Sequence, residues 1–260
     1  MRMQMPEGGT QRRAVITGAS AGIGREMARL LAAKGYDLTL IARREERLKE
    51  LAAELPVRCQ VLCADVSSVR QCRLAYEAAR GEDVEIVINN AGFGLFGRFA
   101  ETDLDTELHM IQTNIVAVHV LTKLFLRDFR ARGSGYILNV ASSAGFMAGP
   151  LMATYYATKN YVLRLTQAIR EELRREGSGV QVAALCPGPV NTEFNDVADV
   201  KFSIGGISAA EAARSGIDGL LAGKGVIVPG AFMRLAVAAS HLAPQALVTR
   251  IAYHIQSRKG

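Results

Sequence analysis

Residues 153–160, ATYYATKN, place two adjacent tyrosines just ahead of a lysine. A phenol can donate a proton to a carbonyl oxygen when its pKa is low enough for it to act near neutral pH. A nearby ammonium group lowers that pKa because it stabilises the phenolate. In a helix, Tyr155 and Tyr156 lie four and three residues before Lys159, and both spacings bring the side chains to one face. The stretch therefore predicts proton-transfer chemistry and leaves open which tyrosine performs it.

A glycine-rich stretch, TGASAGIG at residues 17–24, follows an apolar run and precedes an amphipathic one. Gly18, Gly22 and Gly24 permit a left-handed backbone and let the chain approach a ligand closely. The start of the following helix offers free N–H groups to an anion. The spacing GxxxGxG differs from the GxGxxG of other dinucleotide folds. We predict that this turn binds the pyrophosphate of a nucleotide.

The second apolar run ends in LIARR, which bears on the kind of nucleotide. Sites for NAD commonly place an acid here to hold the ribose hydroxyl, whereas arginine suits a 2′-phosphate. Ala42 stands where the acid would be, and Arg43 and Arg44 follow it. A guanidinium group matches a phosphate well. We therefore expect NADP(H) rather than NAD(H), although Ala21 in the glycine turn adds no second basic contact.

Short apolar runs alternate with amphipathic stretches along the chain, and these elements must position the reactive residues. The apolar runs are nearly continuous, which indicates burial on both faces and hence a parallel sheet between helices. The pattern predicts an α/β, doubly wound Rossmann fold with a seven-stranded parallel sheet. The predicted strands cover residues 13–19, 37–42, 57–65, 84–92, 135–142, 179–188 and 225–229. The predicted helices cover residues 24–35, 45–55, 68–81, 103–131, 152–176 and 208–222.

Bulk composition narrows the class of protein. The 260 residues are 49% apolar and 22% charged, which suits one globular domain with a core at about 11–230 and an apolar helical extension at 231–260. Acids interleave with bases despite the net charge of +6, so we expect no nucleic-acid partner. The four cysteines lack metal-ligand spacing, and no metal is expected. The absence of a signal-like start or a long apolar run predicts a cytoplasmic location.

Residues 231–260 are unusually apolar, are broken by Pro244 and end in basic residues. One interpretation is that this segment packs over a substrate pocket or against a subunit partner. The other is an amphipathic segment that touches lipid from the membrane surface. The first interpretation is favoured, and both remain open.

Seven segments together resemble the short-chain dehydrogenase/reductase family over nearly the whole chain, in the family's order and approximate spacing. They are TGASAGIG, ADV at 64–66, NNAG at 89–92, Asn114 in QTNIVAV, NVASSAG at 139–145, YYATK at 155–159 and PGPVNT at 187–192. The resemblance implies an NADPH-dependent oxidoreductase that transfers hydride between the nicotinamide and a carbonyl or secondary alcohol. A cofactor-sensing binding protein on the same fold, without turnover, is the alternative.

The family pattern YxxxK selects Tyr155, and the family's serine, thirteen residues earlier, is then Ser142. The resemblance implies that Tyr155 donates a proton to the carbonyl oxygen and that Ser142 hydrogen-bonds the same oxygen. It implies that Lys159 lowers the tyrosine pKa and binds the nicotinamide ribose. Asn114 resembles the residue that holds a water in a proton relay. Tyr156 becomes a packing or pocket residue.

The resemblance also implies the residues that hold the cofactor. Asp65 and Val66 resemble the pair at the adenine ring, Asn89 steadies the central strand, and Thr192 contacts the carboxamide. The full predicted set is Gly18, Ser20, Ala21, Gly22, Ile23, Gly24, Arg43, Arg44, Asp65, Val66, Asn90, Ala91, Gly92, Tyr155, Lys159, Pro187, Gly188, Val190 and Thr192.

In this family the loop after the PGPVNT segment covers the substrate. Here it reads EFNDVADVKFSIGGIS at 193–208, where Gly205 and Gly206 could act as a hinge. The residues expected around the pocket are mostly apolar, which favours a hydrophobic ketone, aldehyde or alcohol. They are Phe93, Phe96, Phe146, Met147, Leu151, Met152 and Phe194. The helices near 103–131 and 152–176 resemble those of family dimer interfaces, so we expect a homodimer or homotetramer.

Overall fold

The computed structural model describes residues 12–194 and 206–257. Its strands are β1 Arg13–Thr17, β2 Asp37–Ala42, β3 Cys59–Cys63, β4 Val84–Asn89, β5 Gly135–Val140, β6 Val180–Leu185, β7 Val190–Asn191, β8 Ile207–Ser208 and β9 Val226–Ile227. Seven of them form one parallel sheet in the order β3-β2-β1-β4-β5-β6-β9. The order runs outward in both directions from β1 and β4, which confirms the doubly wound Rossmann fold.

Helices cover both faces of this sheet. They are α1 Gly22–Ala33, α2 Glu45–Glu54, α3 Val69–Ala79, α4 Leu104–Ile111, α5 Ala117–Arg132, α6 Ala153–Arg175, α7 Ala209–Leu221, α8 Ala231–Leu242 and α9 Gln245–Gln256. Successive strand residues enter different cores: Ile86 and Ile88 join the core with α1, α2 and α7, while Val87 joins the core with α3, α5 and α6. Because both faces are buried, the strands need apolar residues at every position.

The sequence pattern was wrong in detail at two places. The single helix predicted over 103–131 is divided by a π-helical turn, Gln112–Val116, between α4 and α5. This wider turn contains Asn114, whose side chain is bonded to the backbone of Phe93. The last strand, predicted over 225–229, is only two residues long; β9 lies at the sheet edge and pairs with β6 alone.

Parallel strands end at one edge of a sheet, so the loops after β1, β2, β4, β5 and β6 converge there. The helices α8 and α9 pack at the same edge. Phe146, in the turn after β5, meets the His241 ring of α8 edge-on, with ring centroids 5.6 Å apart. The last residue of α9, Gln256, bonds Tyr156 of α6. No helix in the described part of the chain is both long and apolar enough to cross a membrane.

Candidate active site

A cavity of about 940 Å³ opens at the carboxyl edge of the sheet. One end lies at the loops after β1 and β2, which we call the nucleotide end. The other end, which we call the substrate end, lies between α6 and the helices α8 and α9. Every residue of the predicted cofactor set lines this cavity except Gly24. The chain therefore brings together residues from position 18 to position 192 around one space.

The glycine turn at the nucleotide end has the backbone that its composition predicts. Gly18 and Gly22 have φ values of 66° and 54°. A Cβ on Gly18 would lie 2.9 Å from the Ala91 Cα, so the turn also packs closely against the loop after β4. Asn90 Nδ2 donates to the carbonyl oxygens of Thr17 and Gly18, each at 3.1 Å. The result is an open backbone cradle that fits a pyrophosphate.

Gly24 has a packing role instead of a place on the cavity surface. A Cβ there would collide with Asn90 Nδ2 and the Gly18 carbonyl oxygen. The glycine therefore lets the start of α1 close against the turn. This is the position in the predicted cofactor set that the structure keeps away from the cavity lining.

Two arginines at the end of β2 line the nucleotide end, and their surroundings differ. Arg44 donates to Glu193 at 2.9 Å and to Ser20 Oγ at 3.3 Å. Arg47 donates to the same Glu193 carboxylate at 2.6 Å. Hydrogen bonds from Arg44 and then Arg47 lower the pKa of Glu193. Within residues 12–194 and 206–257, the Arg43 guanidinium has no hydrogen-bond or ion-pair partner, so it is the more available cation for a phosphate.

Asp65 and Val66 lie on the same side of the cavity, after β3. Ser67 donates its backbone N–H to Asp65 Oδ1 at 3.0 Å. Burial raises the pKa of Asp65, but the hydrogen bonds from Ser67 and the charge of Arg43 outweigh burial and lower it. Asp65 is thus held as a carboxylate and is available to accept a hydrogen bond.

The choice between the two tyrosines has a geometric answer. Ser142 and Tyr155 both line the cavity, and Lys159 Nζ lies 5.8 Å from the centre of the Tyr155 ring. The hydroxyl of Tyr156 instead accepts a hydrogen bond from Gln256 Nε2 at 2.6 Å. Tyr155 is therefore the tyrosine that shares one wall of the cavity with Ser142 and Lys159.

The electrostatics of that wall differ from the expectation that Lys159 lowers the pKa of Tyr155. Burial raises the tyrosine pKa, and the hydrogen bond from Ser142 opposes burial only in part. Burial also lowers the pKa of Lys159 to about 8. The Lys159 ammonium donates to the Val140 carbonyl oxygen at 2.9 Å and not to the phenol. In the protein alone, the buried tyrosine is thus held in its protonated form.

Asn114 lies behind the cavity wall, fully buried, and does not line the cavity. Its Nδ2 donates to the Phe93 carbonyl oxygen at 2.9 Å and to Thr158 Oγ1 at 3.1 Å. Its Oδ1 accepts from the Phe93 N–H at 3.1 Å. A Cβ on Gly92 would lie 2.9 Å from this oxygen and 3.4 Å from Lys159 Nζ. Asn114 therefore fixes the loop after β4 against α6. Gly92 of that loop lies between the Asn114 amide and the Lys159 ammonium.

The substrate end is apolar, as predicted, but the residues that line it differ from those expected from the sequence. Of the predicted pocket residues, Phe93, Met147, Met152 and Phe194 line the cavity. The other three do not: Phe96 packs beneath the wall, Phe146 faces His241, and Leu151 lies outside the lining. The predicted lid falls mostly at 195–205, outside the described residues. Gly206 is described and precedes β8, which pairs with β7.

The sequence reasoning missed the residues that the last two helices bring to the cavity. They are Phe232, Met233, Ala236, Val237, Ile255 and Gln256. It also missed Glu193, which lies next to the predicted Thr192. The apolar composition of the C-terminal segment was the one available signal. Among the described residues, no group of three His, Cys, Asp or Glu side chains is arranged to hold a metal ion.

Comparison with known proteins identifies the family of this chain. A family model described as short chain dehydrogenase matches residues 12–201. An uncharacterized oxidoreductase of Staphylococcus epidermidis is 34% identical over 189 residues, which are 72% of this chain and 81% of that protein.

Solved structures of related proteins give the same result. A short-chain dehydrogenase from Sphingobium yanoikuyae, in complex with NADPH, has a TM-score of 0.81 and 30% identity, covering 91% of this chain and 95% of that one. A short-chain dehydrogenase/reductase from Burkholderia phymatum, in complex with NAD, has a TM-score of 0.82 and 25% identity, covering 89% and 93%. The chain therefore belongs to the short-chain dehydrogenase/reductase family, as an oxidoreductase that uses a nicotinamide cofactor.

Proposed function

We propose that this protein is an NADPH-dependent carbonyl reductase that acts on a hydrophobic ketone or aldehyde, or oxidises the matching alcohol. The observation that carries the proposal is the common wall formed by Ser142, Tyr155 and Lys159 between the two ends of the cavity. A cofactor at one end and an apolar carbonyl compound at the other would both reach this wall. When bound, NADPH supplies the hydride.

The basic residues of the nucleotide end support NADP(H) over NAD(H). Arg43 lines the cavity, and its guanidinium makes no hydrogen bond or ion pair among the described residues. Ala42 ends β2 at the position where an NAD-binding site would have an acid to bind the ribose hydroxyl. This position therefore carries no negative charge. Arg44 is partly engaged by Glu193, so Arg43 supplies most of the preference that we expect.

The position of Tyr155 in the cavity wall beside Lys159 supports proton donation by this residue. Burial keeps its phenol neutral, so the proton is available for a carbonyl oxygen in the cavity. Ser142 lines the cavity together with Tyr155, so its hydroxyl would hydrogen-bond the same carbonyl oxygen. The phenolate left after proton donation would be stabilised by the Lys159 ammonium beside the ring. Tyr155 is therefore in the form that proton donation to a carbonyl oxygen requires.

Asn114 supports this wall from behind. Both N–H groups of its amide are used, by Phe93 and Thr158, while Oδ1 accepts one hydrogen bond and has capacity for another. A water bonded there would continue a proton path from Lys159. The relay role implied by the family resemblance is retained as part of the proposal.

The substrate class follows from the lining of the other end. Aromatic, methionine and aliphatic side chains from the connecting loops and from α8 and α9 surround it together with Tyr156 of α6. Apart from Lys159 in the shared wall, its described lining residues include no lysine or arginine. An anionic substrate would thus lack a partner, whereas a bulky apolar body would bury its surface against these side chains.

The proposal is tested by following NADPH and NADH oxidation in parallel over short, aromatic, long-chain and polycyclic carbonyl compounds. We expect oxidation that requires the carbonyl compound, is faster with NADPH and favours the larger apolar compounds. Oxidation that prefers NADH would overturn the cofactor assignment. Absence of turnover across the panel, with NADPH still bound, would instead favour the cofactor-sensing alternative.

The proposal includes the oligomeric state and the cellular location of the protein. We expect a homodimer or homotetramer formed through α4, α5 and α6, where Leu104, Leu108 and Tyr161 are exposed. Light scattering on the purified chain tests this, and a monomer at micromolar concentration would contradict it. A cytoplasmic location is also retained as a prediction.

Lipid contact remains the alternative role for the outer face of the C-terminal helices. Leu235 and Leu242 are exposed there, and residues 231–260 contain no acid. Co-sedimentation with anionic vesicles, for the wild type against Leu235→Asp and Leu242→Asp, tests this contact. Equal soluble recovery of all three proteins would remove the lipid interpretation.

A further inference from the structure

One polar contact lies within the apolar substrate end of the cavity. Gln256, the last residue of α9, is only 1% exposed and donates from Nε2 to the Tyr156 hydroxyl at 2.6 Å. Both side chains line the cavity. The amide oxygen of Gln256 is buried and has no hydrogen-bond partner among the described residues. Glutamine is seldom buried in this way, and a buried amide oxygen normally has a donor.

The surroundings of the pair hold Tyr156 in place. The ring packs edge-on against Tyr155, with centroids 6.1 Å apart and an interplanar angle of 77°. Gly149 lies against the same ring so closely that a Cβ there would collide with it. The position of the Tyr156 hydroxyl is therefore set by rigid packing, next to the tyrosine of the reactive wall.

The hydrogen-bonding capacity left in this pair is specific. Tyr156 accepts from Gln256, so its own O–H proton is available to donate, and Gln256 Oε1 is available to accept. Burial raises the pKa of Tyr156 to about 12, which keeps the phenol a donor at neutral pH. A hydroxyl group both accepts and donates, so it can use both functions at once. A carboxylate would place a second acceptor against Oε1, and a hydrocarbon would leave that oxygen unpaired.

We propose that Tyr156 and Gln256 form a subsite for a hydroxyl group of the substrate, distinct from the carbonyl that is reduced. The substrate class is then an apolar carbonyl compound that carries a second, hydroxylated position. This inference rests on the proposed function for the reacting end of the molecule, and it adds the group recognised at the other end. Because α9 is the source of Gln256, the C-terminal segment determines this selectivity.

The test uses matched pairs of ketones that differ by one hydroxyl, at increasing distance from the carbonyl. The pairs are para-hydroxyacetophenone with acetophenone, raspberry ketone with benzylacetone, and estrone with 3-deoxyestrone, whose phenolic hydroxyls NADP⁺ cannot oxidise. Dissociation constants are measured calorimetrically on the protein loaded with NADP⁺, which cannot reduce a ketone. The binding result therefore does not depend on turnover.

We expect the hydroxylated member of at least one pair to bind about tenfold more tightly to the wild type, as one hydrogen-bonded pair allows. Gln256→Leu and Tyr156→Phe should reduce that ratio to about one. Gln245→Leu is the matched control, because it removes the same amide from an exposed position at the start of α9. This control should leave the ratio unchanged.

The inference is overturned if no pair shows a preference in the wild type, or if the preference survives both substitutions. Tyr156→Phe removes a single oxygen atom, so it remains informative even if Gln256→Leu displaces α9. Failure of the subsite is distinguishable from failure of the proposed function. Turnover of benzylacetone with NADPH by the wild type tests the latter alone.

Discussion

The two ends of the cavity are built in different ways. The nucleotide end is built on the turns after β1, β2, β3 and β4, which contain Gly18, Arg43, Asp65 and Gly92, all within the first 92 residues. The substrate end is lined by side chains from the loops after β4, β5 and β7 and from α6, α8 and α9, which are far apart in the sequence. The nucleotide end follows directly from the ends of the strands, whereas the substrate end is formed by loops and helices that pack beside the sheet.

This difference has a physical consequence. Backbone at the end of a parallel strand cannot change its position without disturbing the sheet, so the nucleotide end is tied to the stability of the fold. Side chains that line a cavity can change in size and polarity while the sheet stays the same. We therefore expect changes at the nucleotide end to impair cofactor binding in general, and changes at the substrate end to alter selectivity.

The strongest test concerns Lys159, which lies where the two ends meet. Burial lowers its pKa to about 8 from an ordinary value of 10.5. Between these two pH values the lysine is protonated in the unfolded chain but not in the folded protein. The free energy of unfolding should therefore rise with pH over this range. Below pH 8 the folded protein carries the full cost of burying the charged lysine. Lys159→Met should remove this rise, on the order of 3 kcal/mol.

The measurement is chemical denaturation of the cofactor-free protein at several pH values, as a difference between variant and wild type. Lys123→Met, at an exposed position of α5, is the matched control and should keep the wild-type slope. An identical pH dependence for Lys159→Met and the wild type would show that the lysine is solvated.

The second test breaks the nucleotide end at its backbone. Gly18→Ala puts a Cβ at positive φ and against the Ala91 Cα, so NADPH binding should weaken by a factor on the order of tenfold to a hundredfold. Gly35→Ala has the same backbone penalty at φ 82°, but no atom lies within 4 Å of its Cβ. It should lower stability by about 1 kcal/mol and leave NADPH affinity unchanged. Fluorescence titration measures both, and equal affinities would contradict the cradle.

The third test concerns the choice of cofactor. Arg43→Gln should reduce the preference for NADPH over NADH by about tenfold, because a charge-assisted contact to the phosphate is lost. Arg58→Gln is the control, since Arg58 pairs with Asp37 and does not line the cavity. The ratio of the two dissociation constants is the quantity to compare. A ratio unchanged by Arg43→Gln would assign the preference to another residue.

The smallest effect is expected at Glu193. Its carboxylate pairs with Arg44 and Arg47, and these side chains are about half exposed. Glu193→Gln should release Arg44 for the phosphate and tighten NADPH binding by roughly twofold to threefold, as an exposed pair allows. Glu171→Gln removes a similarly exposed acid that pairs with Arg174 and should have no effect on binding. Weaker binding by Glu193→Gln would mean that Glu193 positions Arg44.

The sequence was informative about the nucleotide end for the same reason that this end is rigid. Its turns are short, contiguous motifs at the ends of apolar runs, so their spacing predicted that Gly18, Gly22 and Arg43 share one site, and all three line the cavity. The substrate end could be predicted only in its apolar character. The contact between Tyr156 and Gln256 joins residues that are 100 positions apart, and no local pattern identifies it.

The π-helical turn at Gln112–Val116 escaped prediction for a related reason. Its residues continue an amphipathic helical pattern, and the wider turn depends on the tertiary contact between Asn114 and Phe93. The pKa of Tyr155 was also beyond a sequence argument. The spacing to Lys159 was known, but the burial that outweighs any effect of the lysine follows from packing.

The central claim is that Tyr155, at the meeting point of the two ends, donates the proton. The most direct measurement compares NADPH oxidation with benzylacetone by the wild type, Tyr155→Phe and Tyr156→Phe. We predict that Tyr155→Phe lowers turnover by about a thousandfold with NADPH affinity unchanged, while Tyr156→Phe stays within about tenfold of the wild type. Retained turnover in Tyr155→Phe, or its loss in Tyr156→Phe alone, would contradict this account.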